Sequence, residues 1–271
     1  MIYDRVEITI DDGIADVRLS RPEKMNALDG KMFNAIVEAT RQLASDSNVR
    51  VVVLSGEGGG FCAGLDTENV TGSGSTGPAS SNDDVDLDNL LPRTHGIANL
   101  PQYAAWAWRE LPVPVIAAVH GVAFGGGFQI ALGADMRYAA PETRFSVMEI
   151  KWGLVPDMAG TQLMKHLARE DVVRELSYTG RVFTAQQALE YGFVTAVTEE
   201  PRALAMETAR LIVDKNPDAI RANKRLCNAS RDLSSQRGLL MESEEQQNII
   251  GSENQIEAVM AQVEKRSAVF I

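Results

Sequence analysis

Two glycine-rich segments offer the backbone groups best suited to chemistry in this chain: GEGGGFCAGLD at 56–66 and GVAFGGGFQ at 121–129, each following an apolar run. Glycine has no Cβ, so a ligand can approach the main chain and the amide N–H groups stay unshielded, and a helix N-terminus adds partial positive charge. Two such turns facing one another would form an oxyanion hole, a pair of donors aimed at an oxygen that gains charge. The same glycines could instead serve only tight turns from strand to helix. A phosphate loop is excluded because no Gly-Lys-Ser/Thr follows, and neither segment has the G-x-G-x-x-G of a dinucleotide site in the right context. Cys62 lies beside the first turn without a paired histidine, which argues for a packing residue. Cys62, Cys227, His95, His120 and His166 are too dispersed for metal-ligand spacing, so no metal is expected. His120 ends an apolar strand and reads as a satisfied core residue.

The elements that must hold these turns are legible in outline. Alternation on either side of Asp11-Asp12-Gly13 predicts a hairpin. Asp29 is placed to cap a helix with Met32, Phe33, Ile36 and Leu43 on one face. Apolar strands are expected over 49–55, 112–119 and 143–148, and helices over 160–168 and from Thr184, whose partner Gln187 completes a capping box, to Gly192. Residues 71–102 are Gly/Ser-rich and then acidic, which predicts a mobile surface loop and a candidate lid. Beyond Pro201, helical spacing of Leu204, Thr208, Leu211 and Ile212, then 219–226 and 254–265, predicts a helical stretch. The fold class is α/β, with a core over 1–200 and a helical region over 201–271.

The chain has 271 residues, 45% of them apolar, and a net charge of -11. That acidity disfavours nucleic acid and anionic lipid as partners. No apolar run approaches the roughly 20 residues of a membrane span, and nothing in the first residues resembles an export signal, so a cytoplasmic protein is expected.

RPEKMNALD at 21–29, VVVLSGEGGGFCAGLD at 51–66, PVIAAVHGVAFGGGFQIALGADMRYA at 114–139 and FSVMEIKWGLVPDMAGT at 145–161 resemble the crotonase (enoyl-CoA hydratase/isomerase) superfamily, in order and over nearly the whole chain. The resemblance implies a spiral of ββα units with a C-terminal helical trimerisation region, homotrimers or dimers of trimers, and acyl-CoA thioester substrates, with CoA part of the substrate and no separate cofactor. It assigns the oxyanion-hole amides to Leu65 and Gly126, and CoA contacts to Arg21, Lys24, Ala27, Ala63, Asp66 and Phe270.

The chain departs from the family's hydratases at a decisive position. There, two glutamates flank the substrate; here the first position is Gln129 and the second Glu149. A glutamine cannot exchange protons near neutral pH. Asp157, eight residues past Glu149, occupies a position where several relatives carry a functional carboxylate; it could also be a helix N-cap. Gln129, Glu149 and Asp157 are therefore the candidate catalytic set. They favour shifting an enoyl-CoA or dienoyl-CoA double bond over adding water. Hydration using Glu149, hydrolysis or dehalogenation with Asp157 as nucleophile, and a catalytically silent acyl-CoA-binding protein are the alternatives.

Overall fold

The computed structural model describes residues 1–66 and 89–271. Strands β1 (Val6–Asp11) and β2 (Ile14–Leu19) form the expected hairpin, closed by Asp12 and Gly13 with positive φ at both, as a two-residue turn matched to strand twist requires. Helix α1 (Gly30–Ser45) is capped by Asp29, whose side chain accepts from the Met32 amide, and all four of its anticipated apolar residues are buried. Parallel strands follow: β3 (Val51–Gly56), β4 (Val115–Val119) and β6 (Met136–Ala139), then β9 (Ala196–Val197), in the order β1-β2-β3-β4-β6-β9. A second, three-stranded sheet joins β5 (Val122–Phe124), β7 (Arg144–Ser146) and β8 (Phe183–Thr184).

The chain thus repeats a unit in which one strand enters the large sheet, the next enters the small one, and a helix follows. Strands β4 and β5 lead into α3 (Gly126–Gly133), and β6 and β7 lead into α4 (Gly160–Met164). Alternation along the large sheet shows why its strands read as continuous apolar runs. Val52 and Leu54 face one core with α1 and α3, whereas Val51, Val53, Ile116 and Ala118 face a second core closed by Ala205 and Ala209 of α7 (Pro201–Val213). Both faces are covered, as a parallel sheet demands. Leu204 and Ile212 of α7 pack against the second core as their spacing predicts, beside the alanines, while Leu211 is 60% exposed and lies off that face.

Two further expectations are corrected. Helix α2 (Leu100–Glu110) begins inside the segment expected to be a loop, with Asn99 and Gln102 forming a reciprocal capping box. Residues 89–99 are tethered to that cap, since Asn99 Nδ2 donates to Leu90 O at 2.8 Å; the rest of the anticipated lid, 71–88, lies outside the described residues. Helix α9 (Ser235–Ile249), not anticipated as a separate element, buries none of its side chains, so no apolar stripe marks it in the sequence. Helices α5 (Glu170–Thr179), α6 (Ala185–Tyr191, with the Thr184–Gln187 capping box and Gly192 at its end), α8 (Pro217–Ala229) and α10 (Glu253–Glu264) complete the chain.

One buried cation joins the C-terminal helices to the sheet. Lys224 of α8 donates to Trp108 O, Val113 O and Asp135 Oδ2 at 2.8–3.0 Å, and the same Asp135 oxygen accepts from the Val115 amide. All three ammonium hydrogens are used, so removing the charge strands two carbonyls and a carboxylate. Replacement Lys224→Met is expected to cost on the order of 3 kcal/mol and lower the melting temperature by roughly 5–10 °C, measured by differential scanning calorimetry.

Candidate active site

The first glycine turn is held by a buried amide that the sequence reading did not single out. Asn26 is fully buried and in the left-handed region. Its Oδ1 accepts from the Arg21 amide at 2.7 Å, and its Nδ2 shares two hydrogens among the carbonyls of Glu57, Gly60 and Phe61 at 2.9–3.2 Å. The only sequence signal was an asparagine after Met25, a residue type that tolerates positive φ. With that turn fixed, Leu28 pairs with Leu65 as in a parallel ladder: the Leu28 amide donates to Gly64 O and the Asp66 amide to Leu28 O. In such pairing the intervening residue turns its N–H to the opposite side. The Leu65 amide therefore faces away from Leu28.

The second turn lies directly against the first. Across the Cys62–Ala123 bridge the Cys62 amide donates to Val122 O and the Phe124 amide donates to Cys62 O, and a Cβ on Gly64, at φ +90°, would sit 2.6 Å from Phe124 O and 3.6 Å from the Gly126 nitrogen. Only glycine admits that approach. Gly126 is the first residue of α3, so its N–H has no acceptor within the helix. Among the described residues, neither the Leu65 nor the Gly126 N–H donates to a backbone acceptor outside regular elements. Helix α3 is set in place from behind by Phe128, whose ring meets Phe145, Phe183 and Phe193 edge-on at 5.4–5.7 Å.

These amides border a cavity of about 460 Å³ shared by Glu149 and Asp157. Glu149 opens a 3-10 turn (Glu149–Trp152) and is 8% exposed; one oxygen, Oε1, accepts from Gln129 Nε2 at 2.6 Å, while Oε2 has no partner among the described residues. A Cβ on Gly125 would lie 3.2 Å from Oε1, which places the acid against the oxyanion turn. Burial raises the Glu149 pKa, and the Asp157 charge adds to the effect. Asp157 keeps solvent contact at the cavity mouth, yet the surrounding walls desolvate its carboxyl enough to raise its pKa as well. A pair of carboxyls held protonation-ready near an apolar pocket is the usual arrangement for moving protons.

Gln129 does not line the cavity. It is 1% exposed, and its Oε1 accepts from the Met158 and Gly160 amides at 2.9 and 2.8 Å. The alternative of Asp157 as a helix cap fails, because α4 starts after Ala159 with no side-chain cap from its own N-cap residue.

Of the six expected CoA contacts, five gather near this rim. Ala63 lines the cavity, and its amide donates to Met25 O. Buried Ala27 supplies a carbonyl to Arg21, whose guanidinium is 2.7 Å from Asp66 and 3.5 Å from Asp29. The charges of Arg21 and Asp66 are thus met within the protein, which makes them braces of the rim. Lys24 is exposed at the end of the adjacent 3-10 turn. Phe270 stays apart: its carbonyl and ring contact Arg50, which precedes β3 at the opposite end of the sheet. Within one chain it cannot reach the cavity. Phe33, Leu90, Pro101, Trp152 and Met158 were not anticipated as lining residues; they come from separate elements and carry no common motif.

Cys62 is the anticipated packing residue, whereas His120 is hydrogen-bonded but only half-buried and so lies outside the core. Burial pushes the Cys62 thiol up to about 12 while Sγ bonds Asn26 O, and His120 Nε2 lies 2.8 Å from Gly58 O.

Comparison with known proteins covers nearly the whole chain. A family model described as enoyl-CoA hydratase/isomerase matches residues 9–271. The mouse mitochondrial Delta(3,5)-Delta(2,4)-dienoyl-CoA isomerase is 29% identical over 97% of this chain and 81% of its own. The carnitinyl-CoA dehydratase of Proteus mirabilis (strain HI4320) is 32% identical over 97% and 96%. The crystal structure of enoyl-CoA hydratase from Bacillus anthracis superimposes with a TM-score of 0.85 at 27% identity, covering 98% of each chain.

The buried acid has a consequence for stability. A carboxyl whose pKa is raised on folding contributes less stability as pH rises through that pKa, because the folded state must then hold a desolvated charge that the unfolded chain does not. Replacement Glu149→Gln keeps an acceptor for Gln129 and removes the charge. Its melting temperature at pH 7 is expected to exceed the wild-type value, with the gap closing as pH falls toward the ordinary carboxylate range, measured by thermal denaturation across pH 4–8.

Proposed function

The chain belongs to the enoyl-CoA hydratase/isomerase family, and on that premise we propose that it moves a carbon-carbon double bond along an acyl-CoA thioester. The observation that carries this reading is the inventory of acids: Glu149 lines the cavity and keeps one buried oxygen without a partner among the described residues, Asp157 borders the same space, and the position two residues beyond the glycine triplet holds an amide engaged by protein groups.

In this mechanism the thioester carbonyl is held by the N–H groups of Leu65 and Gly126. Glu149 takes a proton from the α-carbon of a 3-enoyl thioester. The C–H pair forms a C1–C2 double bond as the carbonyl π pair moves onto the thioester oxygen; the carbonyl then re-forms, the C1–C2 pair becomes the new C2–C3 double bond, and the old C3–C4 π pair takes a proton at C4, either back from Glu149 or from Asp157. The oxygen carries the negative charge between these steps, where two preorganised donors in a partly dry site stabilise it most. No atom is gained or lost, and no cofactor beyond substrate-borne CoA is used. We place the CoA portion along Ala27 and Ala63, with Lys24 at the solvent side and Arg21 and Asp66 fixing the rim.

A second reading, hydration with Glu149 as sole acid-base group, is favoured by the likeness to a carnitinyl-CoA dehydratase. The two are separated by incubating the protein with 2-enoyl-, 3-enoyl- and 3,5-dienoyl-CoA in heavy water and weighing the products. A moved double bond with deuterium incorporated but no added water is expected; gain of one water by the 2-enoyl substrate would establish hydration. Replacement Glu149→Gln is expected to lower turnover by about 100-fold or more, and Asp157→Asn by a smaller factor if Glu149 returns the proton itself.

We further propose assembly as homotrimers or dimers of trimers. Support comes from α10, where Ile256, Val259, Met260 and Val263 form a helical stripe and each is 43–72% exposed. Light scattering on the eluting protein is expected to give three or six times 29.5 kDa. Replacing Val259 and Val263 together by glutamate should shift that mass downward.

A further inference from the structure

We propose that Gln129 is a positioning residue that confines the exchangeable proton of Glu149 to Oε2 and ties the turn bearing Asp157 to the same amide. This rests on the reading of Glu149 as the acid-base group. The orientation of the Gln129 amide follows from its partners. Two backbone donors, the Met158 and Gly160 N–H groups, converge on one end of it, and only a carbonyl oxygen can accept both. The NH2 end must then point at Glu149 Oε1, 2.6 Å away. An NH2 group offers no lone pair, so a proton placed on Oε1 toward Gln129 would have no acceptor.

The other carboxyl oxygen is buried, unpartnered among the described residues, and on a residue that lines the cavity. It is the one atom of Glu149 able to carry a proton to and from a substrate. Glycine at 160 is part of the device, since a Cβ there would sit 2.5 Å from Gln129 Oε1. Met158 directly follows Asp157, so the amide that orients one acid also fixes the backbone beside the other. Among the described residues, the charged groups facing Glu149 are Asp157 from the turn before α4 and Lys151 on its own 3-10 turn, which also lines the cavity. The α3 side contributes only the neutral Gln129.

A consequence distinguishes this role from simple space-filling. Replacement Gln129→Glu keeps an oxygen for the Met158 and Gly160 amides but sets a second carboxyl against Oε1, and two carboxyls at that distance must share a proton. The test is a carbon-13 NMR titration of the ligand-free full chain, with the Glu149 carboxyl assigned by its loss in Glu149→Gln, beside the pH dependence of kcat/KM on whichever enoyl-CoA the wild type converts. In Gln129→Glu the last proton of the pair is expected to leave about one pH unit or more above the wild-type Glu149 value, with the rising limb of kcat/KM moving equally. The Kd for saturated butyryl-CoA should change by less than about threefold. Gln129→Leu, which strands two amides, is expected to fold less stably and to lose kcat far more than affinity.

A wild-type titration and pH profile in Gln129→Glu would overturn the proposal, whatever Gln129→Leu does. So would a moved rate profile with an unchanged Glu149 titration. If the wild type converts no thioester at all, the proposed function falls, and the titration alone still decides whether Gln129 governs the Glu149 proton.

Discussion

Asn26 lies wholly inside the protein with its amide divided between the Arg21 backbone on one side and three carbonyls of the first glycine turn on the other. Buried carbonyls of a glycine-rich turn cannot be satisfied by a ladder, because the turn leaves the sheet there, and each one left without a donor carries a desolvation cost. The Asn26 side chain removes that cost for three of them at once. It also sets the line of 26–28, against which residues 64–66 pair. The direction of the Leu65 amide, the contact between the two turns and the wall of the cavity all follow from this placement.

The acids are arranged on the opposite principle. Where Asn26 satisfies everything around it, Glu149 has one oxygen held by Gln129 and the other left bare, so burial disfavours its charged form and raises its pKa. A carboxylate so placed weakens the folded state in exchange for reactivity, a conflict common to sites built for proton transfer. The aromatic cluster beneath α3 and the two apolar cores on either face of the sheet supply the rigidity that makes such a site tolerable.

The C-terminal helices divide into two kinds. Helices α7 and α8 belong to the body of the protein, one closing the second face of the sheet with alanines and the other anchored by Lys224. Helix α9 buries none of its side chains and α10 only Asn254 and Ala261. Apolar residues on such helices, exposed as Leu239 and Val263 are, have no role inside one chain.

Local signals in the sequence determined the hairpin at Asp12-Gly13, the caps at Asp29 and Thr184, the apolar strands and the two glycine turns, because each depends on near neighbours in the chain. The family resemblance came from the same ordered motifs, and with it the positions of Leu65, Gly126, Glu149 and Asp157. Tertiary structure alone decided which of those residues share a space. Gln129 is twenty residues from Glu149 and about thirty from Met158 and Gly160, and no local pattern says that its amide joins them. Arg21 and Asp66 likewise resembled ligand contacts by position, and folding turned them toward each other. Phe270 was separated from the cavity by the length of a sheet that only the topology orients. Hydrophobic periodicity reports what is buried along one element; which polar atoms meet across elements depends on distances between segments that are remote in sequence, and those distances exist only in the folded chain.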